Sequence, residues 1–242
     1  MKKLCLWLIP FMFFMLSQAS AQSVYRFASI AGLADQEIAA KMMSTIFKDA
    51  KLTLEVEPMP AERARVEATE GRKDGDLGRI ASYGEHNPTM LRVPTPYASA
   101  EIATFALASR KISIKSIDEL KKYKIVIVRG VQTSRDIINK LPGHPSVHEM
   151  TDLAQIMQFI ATGRADVAIT SEFAGLLAIK KQKLDTIAPA GIINSLPLYM
   201  YFHPRHKDVV PIIDAAISAR VKTGELKKWR EQYKQEYLNT IK

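Results

Sequence analysis

Apolar and polar positions alternate over residues 24–28 and again over 52–59, the period-two pattern of strands with one buried face. Between them Ile38, Met42, Ile46 and Phe47 recur at helical spacing, which predicts a helix over 35–50. A further helix starts near Ala61 and closes at Gly71, where glycine tolerates the left-handed conformation that ends helices. Strand, helix, strand, helix, strand is the order that builds a mostly parallel sheet with helices on its faces. An irregular stretch holding Pro88, Pro94 and Pro96 leads to an apolar strand over 102–108. A second series follows. It has a short helix ending near Tyr123, opened by a Ser116/Glu119 capping box, then strands over 124–128, near Val147 and over 165–170. Helices are predicted over 134–141, 153–162 and 173–181. The tail over 208–237 reads as helix broken near Gly224.

One junction occurs twice. Gly71-Arg72-Lys73-Asp74 closes a helix and begins a strand, and Gly163-Arg164-Ala165-Asp166 does the same in the second series. Five residues beyond each aspartate stand Arg79 and Ser171. Ligands of open α/β sheets bind outside the carboxyl ends of the strands, so two lobes facing each other would bring both residues to one cleft.

Composition narrows the function. Lys2 and Lys3, an apolar run over 4–16 and Ala19-Ser20-Ala21 form an export signal over 1–21, with Gln22 the expected first mature residue and the periplasm the expected location. The single cysteine, Cys5, falls inside it, so the mature chain has no disulfide, thiolate nucleophile or cysteine-held zinc. The formal charge of +9 is spread without a groove-reading motif, which argues against nucleic acid as partner. The glycines around 71–79 precede a strand and lack a following Gly-Lys-Ser/Thr, so they form neither a phosphate loop nor a dinucleotide fingerprint. His203/His206 and His144/His148 lack the acid that would complete a zinc motif, and no Gly-x-Ser-x-Gly elbow is present. No cofactor is expected.

The order of these pieces resembles the periplasmic solute-binding proteins of family 3, the group that includes amino-acid receptors of ABC importers. The resemblance rests on Pro58-Met59, the helix closing at Gly71, Asp74, Pro96-Tyr97, Lys124 to Gly130, Gly163-Arg164-Ala165-Asp166 and Lys222-Thr223-Gly224-Glu225. It implies an α/β, two-lobed, periplasmic-binding-protein-like (type II) fold with a hinge of two crossing strands. Lobe one would comprise 22–100 and 199–242, lobe two 101–198, with crossings over 97–102 and 195–201. It also implies a monomeric binder of a small molecule that reports to an ABC permease or a membrane sensor, not an enzyme. A cyclohexadienyl-dehydratase-like catalyst on the same clamp is the alternative, with Glu172 or Glu85 as acid. The family's carboxylate-gripping arginine is missing from the stretch Ser82 to Pro88, and its ammonium-holding aspartate falls at Ser171. Both halves of the amino-acid grip are altered, which points away from an ordinary α-amino acid and toward a small polar, anionic solute.

Candidate contacts follow, each with a plainer alternative. Arg79 would grip an anion or pair with Asp76 or Glu85, and Arg79→Ala would weaken an anionic ligand with the fold intact. Arg63 would join it or stay solvated on its helix. Arg129, Gln132, Thr133 and Ser134 lie between a strand and a helix, where free N–H groups and hydroxyls hold anions, although Thr133 and Ser134 could equally cap the helix. Glu172, beside Ser171, would supply a negative contact or only begin a helix. Tyr83 and Tyr97 would stack on a flat ligand or pack near the hinge.

Overall fold

The computed structural model describes residues 23–143 and 146–241. The expected export signal, Cys5 and His144 lie outside the described residues. Strand β1 (Val24–Ile30) is followed by α1 (Ala34–Asp49), which buries Ile38, Met42, Met43, Ile46 and Phe47 along one face, as their spacing requires. Next come β2 (Thr53–Met59), α2 (Ala61–Thr69) and β3 (Gly75–Arg79), both strands parallel to β1. Beyond them lie α3 (Ala81–His86), β4 (Leu91–Arg92) and β5 (Ala98–Leu107). The second series holds β6 (Ile125–Val128), α4 (Gln132–Asn139), β7 (Val147–Met150), α5 (Leu153–Ala161), β8 (Val167–Ser171) and α6 (Glu172–Gln182). The chain then returns through β9 (Ile187–Phe202) to α7 (Val210–Lys222) and α8 (Glu225–Asn239), which meet at Gly224.

Strand order is β2-β1-β3-β9-β5-β8-β6-β7, with β4 also on β9. Each lobe is parallel at its outer side, and the antiparallel pair β5 and β9 joins the two. Strand β9 is the shared element: residues 199–202 pair with β3, and residues 187–198 pair with β5. Its full length was not legible, because Pro189 and Pro197 interrupt any simple alternation.

The core of the first lobe is built around Phe27, Phe47 and Phe202, with Phe27 and Phe202 edge to face at 4.9 Å between centroids. Such aromatic pairs add about 0.5–1.5 kcal/mol beyond area burial. Phe105, Val126, Ile156, Met157 and Ile160 fill the equivalent space in the second lobe.

The repeated junction does the same work in both lobes. Asp74 accepts the Arg26 N–H through its carboxylate at 2.7 Å and donates its own N–H to Arg26 O at 2.7 Å. Asp166 repeats this on Lys124, at 2.8 Å and 2.8 Å. Each aspartate registers the strand it begins against the strand beside it, and an arginine, Arg205 or Arg110, covers its charge.

Two local expectations need correction. Helix α4 begins at Gln132, so Thr133 and Ser134 sit inside its first turn and cap nothing; its N-cap is Val131, without a side-chain bond. The Ser116/Glu119 box is not formed on its 3-10 turn, Ile117–Lys122: Ser116 makes no cap bond, and Glu119 accepts the N–H of Lys115, one residue before the cap, at 3.2 Å.

Candidate functional site

The carboxyl ends of β1, β3, β6 and β8 converge between the lobes on an inner cavity of about 60 Å³. That is room for about two waters at their liquid volume of about 30 Å³ each, or for one small group such as a carboxylate. Its wall is largely aliphatic, from Ile30, Leu33, Ile80, Ile102, Val128 and Ile169 among others. Polar groups enter at a few points, the usual balance for a small-molecule site.

Arg79 reaches this wall because β3 carries a bulge. Gly78, at φ 76°, is the extra residue between Leu77, opposite Met200, and Arg79, opposite Tyr199. Gln36 holds the bulge by donating to Gly78 O at 3.0 Å and accepting the Ile30 N–H at 2.9 Å. The guanidinium is 4 % exposed and pairs with fully buried Asp76 at 2.8 Å. It lies over the Tyr83 ring at 4.9 Å, and Tyr83 donates its hydroxyl to Asp76 at 3.0 Å. Burial pushes the Asp76 carboxyl upward against the pull of Arg79. Burial also raises the Tyr83 and Tyr97 hydroxyls, which stay neutral. Asp76 Oδ1, Arg79 Nε and the Tyr97 hydroxyl are buried without a hydrogen-bond partner among the described residues.

From the second lobe, α4 presents Gln132, Thr133 and buried Ser134 at its N-terminus. With no side-chain cap, the first N–H groups of this helix are free to meet an acceptor. Ser171 lies on the wall too, capping α6 by accepting the Ala174 N–H at 3.3 Å.

Of the predicted residues, Arg79, Tyr83, Tyr97, Gln132, Thr133, Ser134 and Ser171 are brought together. Three are not. Arg63 projects into solvent, 65 % exposed, with Glu67 at 3.8 Å, because its position on α2 faces outward. Arg129 lies on the exposed turn after β6 and donates to Glu149 O at 3.2 Å. Glu172 begins α6 and is absent from the cavity wall. The carboxylate beside Ser171 is instead Asp35 of the first lobe, which accepts the Ser171 hydroxyl and pairs with Arg230 at 3.3 Å. Sequence reasoning missed Asp35 and Gln36. Applying the strand-end rule to β1 as well as β3 and β8 would have found both.

The lobes touch around this cavity. Besides Asp35–Ser171, Ser82 of α3 donates to Asp136 of α4. Gly130 approaches α2 so closely that an added Cβ would stand 2.7 Å from the Glu62 nitrogen. On the far side of α6, Phe173 meets Tyr237 of α8 edge to face at 6.4 Å. His206 lies at the other end of the first lobe, 2.6 Å from Asp74, where it helps hold β3 in place. Among the described residues, no group of three or more His, Cys, Asp or Glu could hold a metal, and no helix is long and apolar enough to cross a membrane.

No family model matches the chain. An uncharacterised protein of Shewanella oneidensis is 25% identical over 184 residues, covering 74% of this chain and 69% of that one. Among solved structures, a histidine kinase sensor domain described as similar to periplasmic binding proteins superposes with TM-score 0.73 at 14% identity, covering 88% of this chain and 96% of that one. An amino-acid ABC transporter substrate-binding protein of Streptococcus pneumoniae bound to L-arginine gives 0.71 at 15%, covering 91% and 97%. The GluR0 ligand-binding core in complex with L-glutamate gives 0.74 at 12%, covering 88% and 99%. The fold is therefore the two-lobed, periplasmic-binding-protein-like one. At these identities it carries no assignment of ligand.

Proposed function

We propose that the chain is an exported solute-binding protein that captures a small anionic solute between its lobes and presents the closed state to an ABC permease or a membrane sensor. The observation that carries this reading is the inner cavity, enclosed by both lobes and walled by Arg79 and the uncapped N-terminus of α4. An acidic group set against those N–H groups meets the positive end of the helix, and the aliphatic wall covers the remainder of the solute. Asp35 is already engaged by Arg230 and Ser171, so the wall offers little to an ammonium. Lobe one spans 22–100 and 199–242 and lobe two 101–198, with the crossing where β5 and β9 pair. The signal-like pattern over 1–21 supports a periplasmic location, and a monomer suffices for the clamp.

A substrate-binding protein of an ABC transporter and a histidine kinase sensor domain share this fold, which supports either route. A catalyst on the same clamp would need an acid facing the solute. Glu85 and Glu172 stand off the inner cavity, and Asp35, the acid that lines it, is held by Arg230 and Ser171.

Thermal unfolding against a panel of small organic acids, amino acids and neutral analogues tests the reading. At one hundred times Kd a ligand specific for the folded state contributes about 2.7 kcal/mol, a rise in Tm of roughly 5–10 °C. Small acids are expected to give it. A panel in which only amines or neutral compounds do so overturns the anionic assignment, and one in which nothing does overturns the binder.

A further inference from the structure

A second compartment of about 220 Å³ adjoins the inner cavity and shares Arg79, Tyr83 and Gln132 with it. It too lies between the lobes: Arg65, Arg79 and His86 come from the first, Gly130, Gln132 and Arg135 from the second. Its wall carries three guanidinium groups and one carboxylate, Glu62.

The partners of those arginines are unevenly supplied. Arg65 is matched by Glu62, at 3.2 Å from its Nε, and Arg79 by Asp76. Among the described residues Arg135 forms an ion pair only with Glu149, at 3.4 Å, which it shares with Arg129 at 3.8 Å. Asp136 does not line the compartment and is occupied by the Ser82 hydroxyl and, at 2.7 Å, the Gln132 amide. The Nε atoms of Arg79 and Arg135 are both buried with no hydrogen-bond partner among the described residues. Leaving a buried donor of a charged group unmet is costly, and a guanidinium with a free edge suits an oxygen anion. Exposed Glu62 and His86 at the margin leave the compartment open to solvent.

We propose that this outer compartment binds a second anionic group of the same solute, so that the ligand is a short dianion, a dicarboxylate or a phosphonate- or phosphate-bearing carboxylate. The proposal rests on the inner-cavity reading above. One acid lies against the N-terminus of α4, a short aliphatic stretch passes Arg79 and Tyr83, and the second acid meets Arg135 and Arg65. Because these two arginines belong to different lobes, the second acid also draws the lobes together.

Isothermal titration of the purified protein with butyrate, succinate and 3-phosphonopropionate tests it, the three probes having chains of similar length. The dianions are expected to bind at least ten-fold more tightly than butyrate. Arg135→Gln should bring them to within about two-fold of butyrate while leaving butyrate itself unchanged, and Arg65→Gln should act in the same direction from the other lobe. Equal affinity for all three probes, or an equal loss for all three in Arg135→Gln, overturns the outer site and leaves the inner reading standing. Absence of binding by every probe overturns both.

Discussion

Arg79 shows how burial alters what a residue can be asked to prove. Since Asp76 is fully buried beneath it, the expectation that Arg79→Ala would leave the fold intact does not hold. Removing one member of a buried pair strands the other, at about 3–5 kcal/mol. Arg79→Met should lower urea stability by that amount, and the double variant Asp76→Asn, Arg79→Met should lose clearly less than the two single variants summed. Additive losses would show that the two side chains are not coupled. Gly78 is equally specific. A Cβ there would lie 2.6 Å from Gln36 Nε2 at a φ of 76°, so Gly78→Ala should cost more than about 1 kcal/mol and misplace Arg79. The sequence pointed to Arg79 and Ser171 through their places after matching aspartates. It offered Asp76 as one of two partners for Arg79 without showing that the pair is buried, and it hid Asp35 and Gln36, because charge on a one-dimensional string does not say which acid is buried and which is paired across a lobe boundary.

At the scale of elements, the matched junctions were legible because one local chemistry, a helix-closing glycine and a strand-registering aspartate, is written twice in the chain. Asp74 and Asp166 are both held below the usual carboxylate range: burial works against this, and the N–H groups of Arg26 and Lys124 with Arg205, His206 and Arg110 outweigh it. A depressed carboxyl contributes stability above its unfolded value of about 3.9 and loses it as pH falls through the folded value. Asp74→Asn and Asp166→Asn should therefore be less stable than the parent at pH 7, with the gap closing below about pH 4. A gap independent of pH in urea titrations would remove the carboxylate from the explanation. Strand β9 and α3 were less legible, since prolines mask the first and the second has only six residues.

For the whole molecule, closure is the property to test. The lobes meet through Ser82–Asp136, Asp35–Ser171 and the close pass of Gly130 to α2. Gly130→Val puts a branched side chain into that gap, so solute affinity should fall at least ten-fold, and the decrease in radius of gyration on solute addition should be lost. Retained compaction in small-angle scattering would mean that the lobes close by another route. The position of β9 has a further consequence, one of timing. It sits between β3 and β5 in the sheet, yet it comes after residue 186 of a 242-residue chain. Neither lobe can complete its sheet until that late segment has been synthesised, and pairing over such long separations is slow. A growing chain thus stays open for most of its synthesis, the condition in which a polypeptide can still be threaded through a narrow pore.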